Sequence, residues 1–320
     1  MDSSPILDVK NLKVEFTTDR NIILAVDGVE LSLDKGKTLG LVGESGCGKS
    51  VTALAIMGLL PAHAAVNGEV FFKDRDLLKL KKKEISKIRG NQISMIFQEP
   101  MTSLNPVFSI EYQLAEVFKL HRGISGKEVR NQIIELLKTV GIPNPDRRMK
   151  DFPHQLSGGM RQRVMIAMAM ACEPDIMIAD EPTTALDVTI QAQILELMSN
   201  LQQSHNTGLM IITHDLGVIA QVADQVAVMY AGHIMEHTTV KEIFKTPLHP
   251  YTKGLLKTIP QITKHQERLE EIKGTVPHMS QVPPGCRFYD RCDQRVEKCS
   301  TEIPPVRSLD GRKIRCWLYL

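Results

Sequence analysis

Gly43-Glu44-Ser45-Gly46-Cys47-Gly48-Lys49-Ser50 is the stretch whose reading decides the fold. It follows a short apolar run, Thr38–Val42, that reads as a buried strand, and it opens an apolar segment, residues 50–60, that reads as a helix. Glycines at 43, 46 and 48 let the backbone curl until successive N–H groups point at phosphate oxygens. The helix start adds its partial positive charge. In such a loop Lys49 reaches the β- and γ-phosphates of a nucleoside triphosphate, and Ser50 offers its hydroxyl to Mg²⁺.

A phosphate cradle needs an acid to orient the metal, and a second buried apolar run, residues 176–179, ends on Asp180-Glu181. Asp180 fits the Mg²⁺ role. Adjacent strand residues point to opposite sides, so Glu181 serves as the base that polarises water only if the strand ends and turns there. Further marks follow in order along the chain. Gln98 ends the strand at residues 93–97; Leu156-Ser157-Gly158-Gly159-Met160 puts two glycines where helix formers belong; Thr184-Ala185-Leu186-Asp187 follows the acid pair; His214 follows a strand at residues 210–213. A serine N-cap followed by glycines presents a bare helix N-terminus to an anion.

This order resembles the ATPase subunits of ABC transporters over residues 7–245. The resemblance implies an α/β P-loop NTPase core of RecA-like type, with an antiparallel β subdomain and an inserted helical subdomain at about residues 105–165. It implies head-to-tail dimers in which each ATP lies between one subunit's phosphate loop and the other's signature segment, so that Ser157, Gly158 and Gly159 touch the partner's nucleotide. By the same resemblance Gln98 contacts Mg²⁺ and water, His214 contacts the γ-phosphate, Asp187 meets the dimer partner, and an aromatic, here Phe16, stacks on adenine. The signature departs from the wider family at Met160, where glutamine is usual, and any polar contact from that side chain is lost.

Composition is consistent with this reading. At 320 residues and 42% hydrophobic content the chain can bury a large core and is expected to form about two domains, residues 1–245 and 246–320. The net charge of +2 is too weak to imply nucleic acid by itself. Residues 1–13 show no signal segment, and no apolar run reaches the ~20 residues that span a membrane. The chain is therefore expected at the cytoplasmic face of the membrane as a peripheral subunit. The resemblance supplies its partners: a second, related ATPase chain, two transmembrane permease subunits and, indirectly, an extracytoplasmic substrate-binding protein.

Along the chain, residues 7–34 alternate like strands. Val129, Ile133, Leu136 and Val140 mark one face of a helix that ends at Gly141. Residues 161–171 read as a helix apolar nearly all round, its methionines packing in the core. Runs at 176–179, 209–213 and 226–230, with a helix carrying Ile190, Ile194, Leu197 and Leu201, complete a parallel α/β sheet.

The last seventy-five residues narrow the resemblance. Leu248-His249-Pro250-Tyr251-Thr252 and the proline-rich turns after it, marked by Pro260, Pro277, Pro283 and Pro284, are similar to the tail of oligopeptide, dipeptide and nickel importer ATPases. Four of six cysteines, Cys286, Cys292, Cys299 and Cys316, fall in this tail. A reducing compartment disfavours two structural disulfides, and four thiolates suit Zn²⁺ or an iron–sulfur cluster. Zinc ligands usually pair as C-x₂₋₄-C, whereas five and six residues separate these first three cysteines. The resemblance implies a [4Fe-4S] cluster, with Zn²⁺ as the alternative, and Arg287, Phe288, Tyr289 and Arg291 are expected to surround it. The function expected is ATP-driven import of short peptides, with nickel or another small solute as a second reading. A soluble ABC ATPase acting on nucleic acid or ribosomes is a third, which the nearly balanced charge and the single ATPase domain disfavour.

Overall fold

The computed structural model describes residues 4–17, 22–98, 103–184, 186–258 and 272–320; Ala185 of the loop at 184–187 and Pro260 of the tail lie outside them. In chain order the elements are β1 Leu7–Thr17, β2 Ile22–Leu33, β3 Thr38–Val42, α1 Lys49–Ile56, β4 Ala64–Phe72, β5 Arg75–Asp76, α2 Lys82–Ile88 and β6 Ile93–Ile96. Next come α3 Ile110–Arg122, α4 Lys127–Thr139, α5 Pro145–Arg148, α6 Gly158–Met170, β7 Ile176–Asp180, α7 Val188–His205 and β8 Gly208–Thr213. The chain ends with α8 Leu216–Val222, β9 Gln225–Tyr230, β10 His233–Thr239, α9 Val240–Lys245, α10 Pro250–Lys257, β11 Arg307–Leu309 and β12 Arg312–Ile314. The described residues form two compact units, the first from Met1–Leu33, Thr38–Lys79 and Ile212–Leu320, the second from Asp34–Lys37 and Leu80–Ile211.

Unit 1 holds the antiparallel sheet expected from the alternation in residues 7–34. Its order is β2-β1-β4-β5, with Leu7 opposite Leu33 and Phe16 opposite Ile23 in β2 and Ala64 in β4. Leu12 and Val14 are buried while Lys13 between them is not, as a half-buried strand requires. Elsewhere in unit 1, β3 pairs in parallel with β9, and β9, β10, β12 and β11 continue as antiparallel neighbours. All five residues of β3 are buried, which is why its sequence is a continuous apolar run and not an alternation. Strand β12 enters from late in the chain and lies between β10 and the edge strand β11, with Glu236 opposite Ile314 and His237 opposite Lys313.

In unit 2, β6 and β7 pair in parallel, Ile93 with Ile176 and Ile96 with Ala179, and β7 is buried throughout. The helices α3, α4 and α6 pack on one another. The buried face of α4 carries Val129, Ile133 and Leu137, not Leu136. Residues 136 and 137 straddle a face that repeats every 3.6 residues, and spacing alone does not separate them.

Two helix boundaries differ from expectation for local reasons. Helix α1 stops at Ile56 and not at residue 60, because Gly58 takes the left-handed conformation (φ +61°) that ends helices. Helix α6 begins at Gly158 and not at 161, because the Ser157 hydroxyl accepts the Met160 N–H at 3.3 Å and draws both glycines into the first turn. Among the described residues no helix is long and apolar enough to cross a membrane.

Candidate functional site

In unit 1 the loop between β3 and α1 has the curl that its glycines foretell. Gly48 precedes the helix at φ +107°, and a Cβ there would lie 2.8 Å from the Ala25 carbonyl. Lys49 is buried at 5% exposure, and its ammonium donates to the carbonyls of Gly43 at 2.7 Å and Glu44 at 3.0 Å. The loop thus stores its cation against its own backbone, where an incoming phosphate can take over the contact. Ser45 and Gly46 are exposed, and Ser50 is half-buried at the first turn of α1. Cys47 is fully buried, and burial pushes its thiol up, so it packs as a neutral side chain.

Glu44 is tied to the tail. The Tyr251 hydroxyl accepts the Glu44 N–H at 3.0 Å, and Arg291 donates to both Glu44 carboxylate oxygens, at 2.6 and 3.0 Å. Tyr251 is fully buried against Tyr230 and Phe288, ring centroids 4.7 and 5.3 Å away. Sequence reasoning named both residues but missed this role, because the partners stand 207 and 247 positions apart and no local spacing encodes the contact.

In unit 2 the strand β7 ends on Asp180, which is 4% exposed, and Glu181 follows at φ +48°. This left-handed turn is the break in the strand that the acid pair needs if the two carboxylates are to face one region. The Glu181 carboxylate accepts from the Gln98 side-chain amide at 3.0 Å and from the Thr184 hydroxyl at 2.8 Å, both on Oε2. Gln98 and Glu181 are therefore brought together, and Thr184 joins them as a partner the sequence reading left without a part.

The start of α6 lies against the start of α7 within the same unit. Ser157 caps α6 and Asp187 caps α7, its Oδ1 accepting the Ile190 N–H at 2.9 Å. A Cβ on Gly159 would come within 2.9 Å of Ile190 Cγ2, whereas one on Gly158 would meet only Leu186 Cδ2 at 3.8 Å. The two glycines thus have different reasons: Gly159 for close packing, Gly158 for an open face. In unit 1, His214 is exposed between β8 and α8, next to Asp215, whose carboxylate accepts the Gly217 N–H at 2.7 Å. Phe16 is half-buried in β1, its ring 5.9 Å from that of His63.

The four tail cysteines gather in unit 1. Cys286 donates its N–H to the Cys299 carbonyl at 2.8 Å, and a short turn at Tyr289–Arg291 brings the chain back to Cys292. Cys316 arrives just after β12. None of the six cysteines forms a disulfide. Burial, with the charges of neighbouring thiols acting in the same direction, pushes the Cys286 thiol up to about 12 and the Cys316 thiol up to about 11. Among the described residues no three His, Cys, Asp or Glu close on a point that would hold a single metal ion. Two expected neighbours of the thiols face elsewhere: Arg291 reaches Glu44, and Arg287 donates to the Ala231 carbonyl and to Asp27 at 2.9 Å. Asp27 also accepts from His233 at 3.0 Å, and that bond, with the nearby cations, holds its carboxyl well below the usual range.

A phosphate loop between a buried strand and a helix, with an acid pair closing a second buried strand, defines an ATP-binding cassette, and comparison with known proteins agrees. The family model described as "ABC transporter" matches residues 26–184, and that described as "Oligopeptide/dipeptide transporter, C-terminal region" matches residues 235–299. The oligopeptide transport ATP-binding protein AppD of Bacillus subtilis (strain 168) is 51% identical over 99% of this chain and 97% of its own length. The dipeptide transport ATP-binding protein DppD of the same organism is 53% identical over 98% and 94%. Among solved structures, the dimeric ATP-binding cassette MJ0796 in a post-hydrolysis state bound to ADP and Pi matches with a TM-score of 0.66 at 30% identity, covering 73% of this chain and 98% of that one. The chain belongs to the ABC transporter family, as an ATP-binding subunit that hydrolyses ATP, and its tail places it in the oligopeptide/dipeptide group.

Proposed function

We propose that this chain is the energy-coupling ATPase of a binding-protein-dependent importer of di- or oligopeptides. The observation that carries this reading is the tail: after the cassette comes a region matching the oligopeptide/dipeptide transporter C-terminal family, packed through Tyr251 and Arg291 onto the phosphate loop. The partners implied are a second ATPase chain, two permease subunits and an extracytoplasmic binding protein, with this chain at the cytoplasmic face of the membrane.

Within the cassette, the N–H groups of residues 43–50 and Lys49 bind the phosphates. Ser50, Asp180 and Gln98 are the groups that would hold Mg²⁺, whose chemistry is to neutralise charge on the transferring phosphoryl group. Glu181, held by Thr184 and Gln98, takes the proton of the attacking water. His214 senses the γ-phosphate, Phe16 stacks on the base, and Ser157, Gly158, Gly159 and Asp187 serve the nucleotide held by the partner subunit. ATP bridges both halves of the dimer while ADP and phosphate do not, so hydrolysis resets the closed state.

For the tail we assign Cys286, Cys292, Cys299 and Cys316 as ligands of a [4Fe-4S] cluster, with Zn²⁺ the alternative. What supports a shared ligand set is that the four thiols lie within range of one another's charge, three of them buried and none in a disulfide; that no three among the described residues close on one point speaks against a single Zn²⁺ ion. When bound, such a cluster supplies a covalent staple and a one-electron redox centre.

The transport reading is tested by isolating the Glu181→Gln chain from gently solubilised membranes in ATP and identifying what accompanies it. Two membrane subunits and a second ATPase of similar size are expected. Ribosomal or nucleic-acid-bound material without membrane protein would overturn it.

A further inference from the structure

Arg291 commits every donor it has. A guanidinium carries five N–H groups, and here they reach both Glu44 carboxylate oxygens, the Tyr230 hydroxyl at 3.4 Å, the Ile272 carbonyl at 3.2 Å and the Lys273 carbonyl at 2.9 Å. The guanidinium also lies over the Tyr230 ring, 5.6 Å from its centroid. Its side chain is 6% exposed and that of Glu44 is 30% exposed, so the pair is only partly screened. The planar fork matches a carboxylate in two parallel bonds, a geometry lysine cannot copy.

Glu44 is gripped at every polar group it owns. Its N–H goes to Tyr251, its carboxylate to Arg291, and its carbonyl accepts from the ammonium of Lys49 and from the Cys47 N–H. Holding the first two fixes where the third points. An unpaired carboxylate at this place would, besides, set a negative charge in a loop built for phosphate.

We propose that Arg291 is a positioning residue for ATP binding: by clamping and neutralising Glu44, together with Tyr251, it holds the phosphate loop and Lys49 ready for the triphosphate. The tail is in this way part of the nucleotide site's support and not an appendage to it. The turn that carries Arg291 is closed by the Tyr289 N–H on the Cys286 carbonyl and by the Cys292 N–H on the Tyr289 carbonyl, so the clamp stands directly on two of the tail cysteines. The proposal rests on reading residues 43–50 as the phosphate loop.

The test is equilibrium binding of ATP with Mg²⁺ to the purified full chain, with melting temperature followed in parallel. Arg291→Ala is expected to raise the Kd about tenfold, the scale of one lost charge-assisted pair. Arg291→Lys should recover part of that loss, and Tyr251→Phe, which keeps the packed ring, should weaken binding in the same sense. In a Glu44→Ala background Arg291→Ala should cost no further affinity, because the charge it neutralises is gone. A purely structural arginine would cost the same in both backgrounds, and that result, or an unchanged Kd in Arg291→Ala, overturns the clamp. Lys49→Ala separates the two layers: it should abolish binding, and if it does not, the phosphate-loop reading falls and the clamp with it.

Discussion

Glu181 combines a strained backbone, a carboxylate fixed by two donors and a place at the end of a buried strand. Residues held in sparsely populated conformations persist only where the surroundings over-determine them. Changing it to glutamine keeps the shape and removes the base. Hydrolysis by Glu181→Gln should fall about 10²–10⁴-fold, the usual worth of general-base help, while ATP affinity stays within a few-fold of the parent chain, as single-turnover and binding measurements will report. An unchanged rate would assign the base elsewhere. At this scale much was legible in the sequence: the phosphate loop, the acid pair and Gln98 are local patterns whose chemistry dictates their spacing. Thr184 on Glu181 and Arg291 on Glu44 were not, because each contact depends on a fold that brings separated side chains to one carboxylate.

Elements were legible where burial is uniform and less so where a single residue ends them. The apolar runs of β3 and β7 could be read as strands covered on both faces, and the alternation of β1 as a strand covered on one. The ends of α1 and α6 depend on one left-handed glycine and one serine cap, which override the periodic apolar pattern. The meeting of α6 and α7 permits a separation of fold from function at two neighbouring glycines. Gly159→Ala must displace Ile190, and overpacking of this kind costs about 1–3 kcal/mol; a companion Ile190→Val should return part of it. Gly158→Ala meets only ordinary contact. Its melting temperature should match the parent's, so that loss of ATPase activity in the assembled transporter reports on the open helix start alone. If Gly158→Ala melts as low as Gly159→Ala, that distinction fails.

At the scale of the whole molecule, the sequence suggested a cassette followed by a tail, and the structure weaves the tail into unit 1. Strand β12 extends the sheet beside β10, Arg287 fastens to Asp27 of β2, and Tyr251 and Arg291 fasten to the phosphate loop. Pairings between the two ends of a chain leave no periodic trace, which is why this was not foreseen. A region with short strands and little core of its own gains most from a covalent or metal staple. Protein purified without oxygen should therefore contain iron and inorganic sulfide. Replacing Cys286, Cys292, Cys299 and Cys316 together by serine should remove both and lower the melting temperature of the whole chain. Zinc without sulfide would favour the alternative ligand, and metal-free protein with unchanged melting would refute the assignment of these thiols.

The late arrival of β12 has a bearing on how the molecule comes into being. Domains tend to fold in the order in which translation releases them, yet here the edge of the sheet at β10 and the fourth thiol, Cys316, are completed by residues made after nearly everything they join. The phosphate loop emerges early but receives its clamp from residues made some two hundred positions later. A nascent chain that has not yet reached Tyr251 and Arg291 would thus carry a phosphate loop without its support.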